Sequence, residues 1–173
     1  LQFPSDFCER VERNLGLLEQ YAVVSPDIVT LDGEHQNPHV VSTVSRAREM
    51  VYDLYYSNYL LARLILWAAR VSRSLTDRRD EQQHHTAQPI YQGHGSCYLI
   101  GPKFFRHFQE FWAPTFLMGE EYFLSKQLSD QGMQVWYDPA IALTHCCHGS
   151  LAALPGRRTW EFARLAHKEY RKY

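Results

Sequence analysis

The chain has 173 residues, with 18 Lys or Arg against 19 Asp or Glu and nine histidines besides. That length is right for one domain with a real core, and the near-neutral balance removes the electrostatic reason to expect nucleic acid as a partner. Four cysteines, at positions 8, 97, 146 and 147, stand in apolar contexts or side by side, which favours reduced, buried thiols and a cytoplasmic setting over a disulfide framework.

Leu1-Gln2-Phe3-Pro4 has neither the basic start nor the apolar run of a secretory signal. A chain that opens directly on a helix start reads as cut from something longer. Ser5 or Asp6 is placed to cap a helix whose Phe7, Val11, Leu15 and Leu18 recur at helical spacing. Tyr21 to Ser25 and Ile28 to Leu31 predict two short buried strands near a sheet edge, parted by Pro26-Asp27 and closed by an Asp32-Gly33 turn. From Val40 to Ser74 there is neither Pro nor Gly, which predicts one long helix or two shorter ones. Its second part, Tyr55 to Val71, is rich in Tyr, Leu, Ile and Trp but falls short of the ~20 residues that span a bilayer. A helix buried against the rest of the protein explains it most simply. The alternative is a helix lying among lipid headgroups with Arg63, Arg70 and Arg73 at its rim.

The polar stretch from Ser74 to Gln88, with His84-His85, predicts a mobile surface loop. A tight turn, Gly93-His94-Gly95-Ser96, then leads into an apolar strand over Cys97 to Ile100. Pro102 starts a helix with Phe104, Phe105 and Phe108 on one face. Glu120 to Gln131 forms the next, with Leu124 and Leu128 inward and Gly132 as its stop. A strand over Gln134 to Tyr137 continues through Pro139 to Ile141, Leu143, Thr144 and His145. The final segment, Arg157 to Tyr173, alternates Trp160, Phe162, Leu165 and Tyr170 with six basic residues, the pattern of a solvated helix face or of an end that touches an anionic membrane.

Glu120 and Glu121 open their helix, where unsatisfied amides and the helix dipole favour negative charge. Neighbouring helical positions diverge by about 100°, so one carboxylate can face a cleft while the other supports the helix start. A carboxylate there can take a proton from a substrate hydroxyl, and acidic residues are common at helix starts without any function. His145, at a strand's end, suits a metal ligand or a phosphate contact at a carboxyl edge. A zinc site from His145, Cys146, Cys147 and His148 is the rival, and its spacing is poor because adjacent residues of a strand point to opposite faces. Gly93 and Gly95 let the backbone approach a ligand, although Tyr98 stands where a phosphate-binding glycine motif needs its third glycine.

In their order these motifs are more specific than singly. Gly93-His-Gly-Ser-Cys-Tyr-Leu-Ile, then Phe111 to Phe116, then Met118-Gly-Glu-Glu-Tyr-Phe-Leu-Ser-Lys-Gln-Leu, then Gly132 through Tyr137-Asp-Pro to Thr144-His145 and Ser150, resembles the second half of family-2 inverting glycosyltransferases of the GT-A fold. The most similar members transfer rhamnose or related sugars in bacterial cell-surface polysaccharide synthesis. Tyr21-Ala-Val-Val-Ser-Pro-Asp-Ile with Asp32-Gly33 and Gln36 is similar to the segment that follows their metal-binding Asp-x-Asp.

The resemblance implies an α/β fold comprising the acceptor-side half of such a domain across residues 1–173, with a helical insertion at about 40–74 and the loop at about 74–88. It implies Glu121 as general base beside Glu120; Gly95, Ser96 and Gly119 at the acceptor; and His145 near the donor diphosphate or its Mg²⁺ or Mn²⁺. The partners would be a nucleotide-sugar donor and a saccharide or lipid-linked saccharide acceptor. The family pattern has Asp in the second acidic place, then often a further Asp and an Arg, where this chain has Phe123 and Gln127. The family's nucleotide-binding units and Asp-x-Asp would lie before Leu1, so this piece alone is expected not to bind donor or turn over. The reading of a different class is a non-catalytic module, metal-stabilised or docked on a membrane surface through residues 55–71 and the basic C-terminus. A degenerate, inactive homologue is the third.

Overall fold

A computed structural model describes residues 1–71, 82–115, 118–146 and 156–173 of the chain. It is mixed α/β. In order the elements are α1 (Phe7–Arg13), α2 (Leu15–Gln20), β1 (Val23–Thr30), α3 (Arg46–Ser57), α4 (Tyr59–Val71), β2 (Gln88–Ile90), β3 (Leu99–Ile100), α5 (Pro102–His107), α6 (Glu120–Ser129), β4 (Val135–His145) and α7 (Gly156–Tyr170). The sheet runs β2-β4-β1-β3, with β1 and β4 parallel at its centre and β2 and β3 antiparallel on the flanks.

The first helix divides at Asn14, whose side-chain amide donates to the Arg10 carbonyl at 2.8 Å while its own carbonyl starts α2 by accepting the Leu17 N–H. Such local side-chain bonding competes with the helical ladder. Asp6 stands at the N-cap of α1, as expected, but its side chain makes no cap hydrogen bond and pairs with Arg10 at 2.8 Å. The two strands expected around Pro26 are one, and it is central rather than near an edge. Proline cannot donate to a ladder, and the sheet absorbs this by a register shift: Pro26 faces Asp138, whereas Asp27 faces Ala142. On β4 the Asp138 carboxylate accepts the Ala140 N–H at 2.9 Å, turning the chain around Pro139.

Of the stretch expected to be helical, Val40 pairs with Gln92 in an isolated bridge and two helices occupy 46–57 and 59–71, capped by Ser45, which accepts the Arg48 N–H, and by Asn58, which accepts the Leu60 N–H. The simpler expectation for the second is overturned. Among the described side chains of α4 only Ala62 is buried, while Leu60 (75% exposed) and Trp67 (64%) stand in solvent. Conversely, the C-terminal segment is a packed helix and not merely a solvated one. Trp160 and Ala166 are buried, and α7 binds α3 through Trp160 Nε1 to the Tyr55 carbonyl (3.3 Å), His167 to Asp53 (2.8 Å) and Tyr170 to Glu49 (2.9 Å).

The core gathers Val23, Ile90, Phe104, Leu124, Leu128, Val135 and Tyr137 between the sheet and helices α5 and α6. Phe104 is fully buried, but Phe105, one position on, is 59% exposed, as divergence of adjacent helical positions requires. Strand β3 keeps only the last two residues of the expected Cys97 to Ile100, and β2 begins at Gln88, the last residue of the stretch expected to be loop. Residues 72–81, which take in Arg73 and the first half of that loop, lie outside the described residues, as do Phe116 and 147–155 with Cys147, His148 and Ser150. Cys8, Cys97 and Cys146 are free thiols, but Cys8 is exposed and the other two are only half-buried, against the expectation of burial. Among the described residues no helix is long and apolar enough to cross a membrane.

Candidate functional site

The turn from Gly93 to Ser96 is anchored from beneath by a side chain that sequence reasoning passed over. Asn37 is fully buried. Its amide donates to the Ser25 hydroxyl at 2.9 Å and to the Pro26 carbonyl at 2.7 Å, and its oxygen accepts the His94 N–H at 2.7 Å. One amide thus fixes the turn to the central strand at its irregular point, meeting the hydrogen-bonding needs of buried backbone groups. Gly93 lies so close to β1 that a Cβ there would run into the Ser25 side chain. Tyr98 closes the turn by donating its hydroxyl to the Gly93 carbonyl at 2.7 Å. Within the turn, His94 Nδ1 accepts the Ser96 N–H at 3.2 Å and lies 2.8 Å from the Ser96 hydroxyl.

Helix α6 brings the acid pair to this turn. Gly119 is its N-cap, at φ +87°, a backbone state that glycine adopts without strain. Its carbonyl takes the Tyr122 N–H, and the Ala166 methyl of α7 lies 3.4 Å from where a Cβ on Gly119 would stand. Glu121 reaches the turn: its Oε2 is 3.0 Å from the position a Cβ on Gly95 would take, so only a glycine leaves that carboxylate its place. Burial pushes the Glu121 carboxyl above the usual glutamate range, its own backbone N–H works against the rise, and the charge of Glu120 adds to it. Phe123, Leu124 and Leu128 hold α6 to the core behind these acids.

His145, the last residue of β4, approaches from the other side. Its ring centroid is 5.4 Å from that of His94, and its Nδ1–H donates to Gln36 Oε1 at 2.7 Å. The structure therefore brings Glu121, Gly95, Ser96 and His145 to one turn, with Gly119 at the start of the helix that carries the acids. Asn37, Ser25 and His94 complete the group. Asn37-Pro38, directly after a turn, is the one sequence signal that marks Asn37 as structurally special.

A second polar group lies near the far end of β1. His35 Nδ1 is 2.9 Å from the buried Asp27 carboxylate, and its ring stacks on His84 at 3.7 Å, with His85 at 3.8 Å from His84. Tyr137 is fully buried and donates its hydroxyl to the His84 carbonyl at 2.8 Å.

The described residues do not by themselves make a metal centre. Among the described residues no group of three or more His, Cys, Asp or Glu is placed to hold an ion, and His145 has an amide oxygen, not a carboxylate, as its neighbour. The proposed zinc set cannot be assembled from His145 and Cys146 alone, since Cys147 and His148 lie outside the described residues. A search of known families, curated proteins and solved structures finds no match to this chain.

Proposed function

We propose that this chain supplies the acceptor side of an inverting glycosyltransferase of the GT-A fold, acting from a nucleotide-sugar donor on a saccharide or lipid-linked saccharide at the cytoplasmic side of a bacterial envelope. The observation that carries the reading is the Glu121 carboxylate, mostly buried and held against the exposed Gly95 of the Gly93–Ser96 turn. A carboxyl with a raised pKa is a stronger base once ionised, and it sits where an acceptor hydroxyl can be laid along Gly95 and Ser96.

In the reaction, the acceptor hydroxyl gives its proton to Glu121 as its oxygen bonds to the anomeric carbon. The bond from that carbon to the nucleoside diphosphate breaks in the same displacement, the electron pair leaves with the diphosphate, and the configuration inverts. Glu120 keeps the α6 start negative and raises the basicity of its neighbour. His94, whose Nδ1 accepts the Ser96 N–H, carries its proton on Nε2, from which a diphosphate oxygen can accept a hydrogen bond, and the His145 ring lies 5.4 Å from it. Since these residues do not form a metal centre, no step is assigned to an ion.

Glu121→Gln in the full-length parent protein tests this. Nucleoside diphosphate release is followed across a panel of nucleotide sugars with saccharide acceptors. The base is worth roughly 10² to 10⁴ in rate, so the substitution should abolish transfer while donor binding persists. Unchanged turnover removes Glu121 from the reaction, and no release from any donor by the unaltered protein removes the transferase reading.

A further inference from the structure

The exposed apolar surface of this protein is concentrated on two consecutive helices. Among the described residues fifteen large hydrophobic side chains stand exposed, and seven of these lie between Met50 and Trp67: Met50, Val51 and Leu54 on α3, and Leu60, Leu64, Leu66 and Trp67 on α4. Single exposed apolar residues need no explanation, whereas a contiguous patch marks an interaction surface. On α4, Leu60, Leu64 and Trp67 are spaced four and three apart and share one face, about 10 Å long at 1.5 Å per residue.

The charge on that face is of one sign. Helix α4 carries no Asp or Glu, and exposed Arg63 falls on the same stripe, three positions after Leu60 and four before Trp67. At the α4 start the stripe runs into an open hollow of about 460 Å³, lined among others by Asn58, Leu60, Arg157, Trp160, Glu161 and Arg164. The one acid there, Glu161, is already paired with Arg157 at 3.3 Å, and Arg157 also lies over the Tyr59 ring. A second copy of the chain laid on this face would bring arginines together, and an apolar protein surface would bury Arg63 without a counter-charge, which is costly. A lipid surface avoids both costs, because leucines and tryptophan enter the acyl boundary while arginine stems let the guanidinium groups rise to headgroup phosphates.

We propose that α4, with the α3–α4 junction and Arg157, docks this protein on an anionic membrane surface, lying in the headgroup plane. The inference is independent of the transferase reading, since it uses none of the residues around the Gly93–Ser96 turn.

The test is co-sedimentation of the purified full chain with vesicles of phosphatidylcholine alone or with a quarter phosphatidylglycerol, at 0.1 and 0.5 M salt. Anionic vesicles should bind at least tenfold better than neutral ones, and the higher salt should erase most of that difference. Leu64→Glu with Trp67→Glu should reduce binding at least tenfold, and Arg63→Glu by about fivefold or more, as the loss of one basic contact at such a surface implies. These side chains are exposed, so circular dichroism and melting should be unchanged; if the double variant does not fold, Arg63→Glu and the salt series decide alone. Binding that ignores lipid charge, or that survives both variants, overturns the proposal. So does a dimer in solution that the same variants dissociate, which would assign the face to a second copy.

Discussion

Replacing Asn37 by alanine should cost far more than its size suggests. The methyl group leaves the Pro26 carbonyl and the His94 N–H without the partners they have at 2.7 Å, and removes the 2.9 Å bond to Ser25. A buried group stripped of its partner costs about 1–3 kcal/mol. The Pro26 carbonyl, deep in the sheet, should incur most of that, whereas the half-buried His94 amide regains some water and the Ser25 hydroxyl can turn to another acceptor. With the packing lost from a fully buried site, the sum is about 2–4 kcal/mol. For a chain of this size that lowers the melting temperature by roughly 5–15 °C. Urea denaturation followed by circular dichroism gives the energy, and hydrogen exchange gives its location: the His94 amide should lose protection before the β1–β4 ladder does. Ser25→Ala, which removes one shared bond, should cost about 1 kcal/mol, and the double variant less than the sum, because both changes delete the same contact. A cost for Asn37→Ala under about 1 kcal/mol, or an unaltered His94 exchange rate, refutes the idea that this amide holds the turn.

Gly95→Ala should leave the melting temperature nearly unchanged, since the flexible Glu121 carboxylate can retreat from the new methyl by a few tenths of an ångström, yet lower transfer by the parent protein by at least tenfold; equal losses in stability and rate would contradict it. Because burial raises the Glu121 pKa, the folded protein holds that proton more tightly than the unfolded chain. Its stability therefore falls as pH rises from the ordinary glutamate range through the raised value. Glu121→Gln should accordingly be the more stable protein at pH 7.5, with the gap closing towards pH 4 as wild type regains the proton, measured by urea midpoints at both values. Trp160→Ala should cost about 3 kcal/mol by opening the α3–α7 contact, and a destabilisation below 1 kcal/mol would mean that α7 is held elsewhere.

Local chemistry was legible where one residue decides the backbone. Pro102 opens α5, Leu124 and Leu128 face inward from α6, and Asp32-Gly33 turns the chain after β1. It misled where tertiary pairing overrode propensity. Pro26 reads as a strand break, yet a register shift on the partner strand carries β1 through it. The aromatic content of residues 55–71 reads as core, but α4 packs chiefly against α3 and not on the sheet, which leaves Leu60, Leu64 and Trp67 exposed. Around the candidate site, Glu121, Gly95, Ser96 and His145 could be singled out because each sits at a recognisable start, turn or strand end. Asn37 offers only its Asn-Pro dipeptide, because its role is to join segments 57 residues apart, and no window of sequence contains that relation.

The parallel alignment of Val24 with Trp136 has a consequence for synthesis. The two residues are 112 positions apart, so at 5–20 residues per second β1 leaves the ribosome roughly 6–20 s before its partner exists. During that interval Val23, Val24 and Ile28, all fully covered in the finished molecule, form a bare adhesive strip on a nascent polypeptide. Yield in cells should therefore depend on how well chaperones shield that strip, and slowing elongation over the intervening helices should push the product towards inclusion bodies.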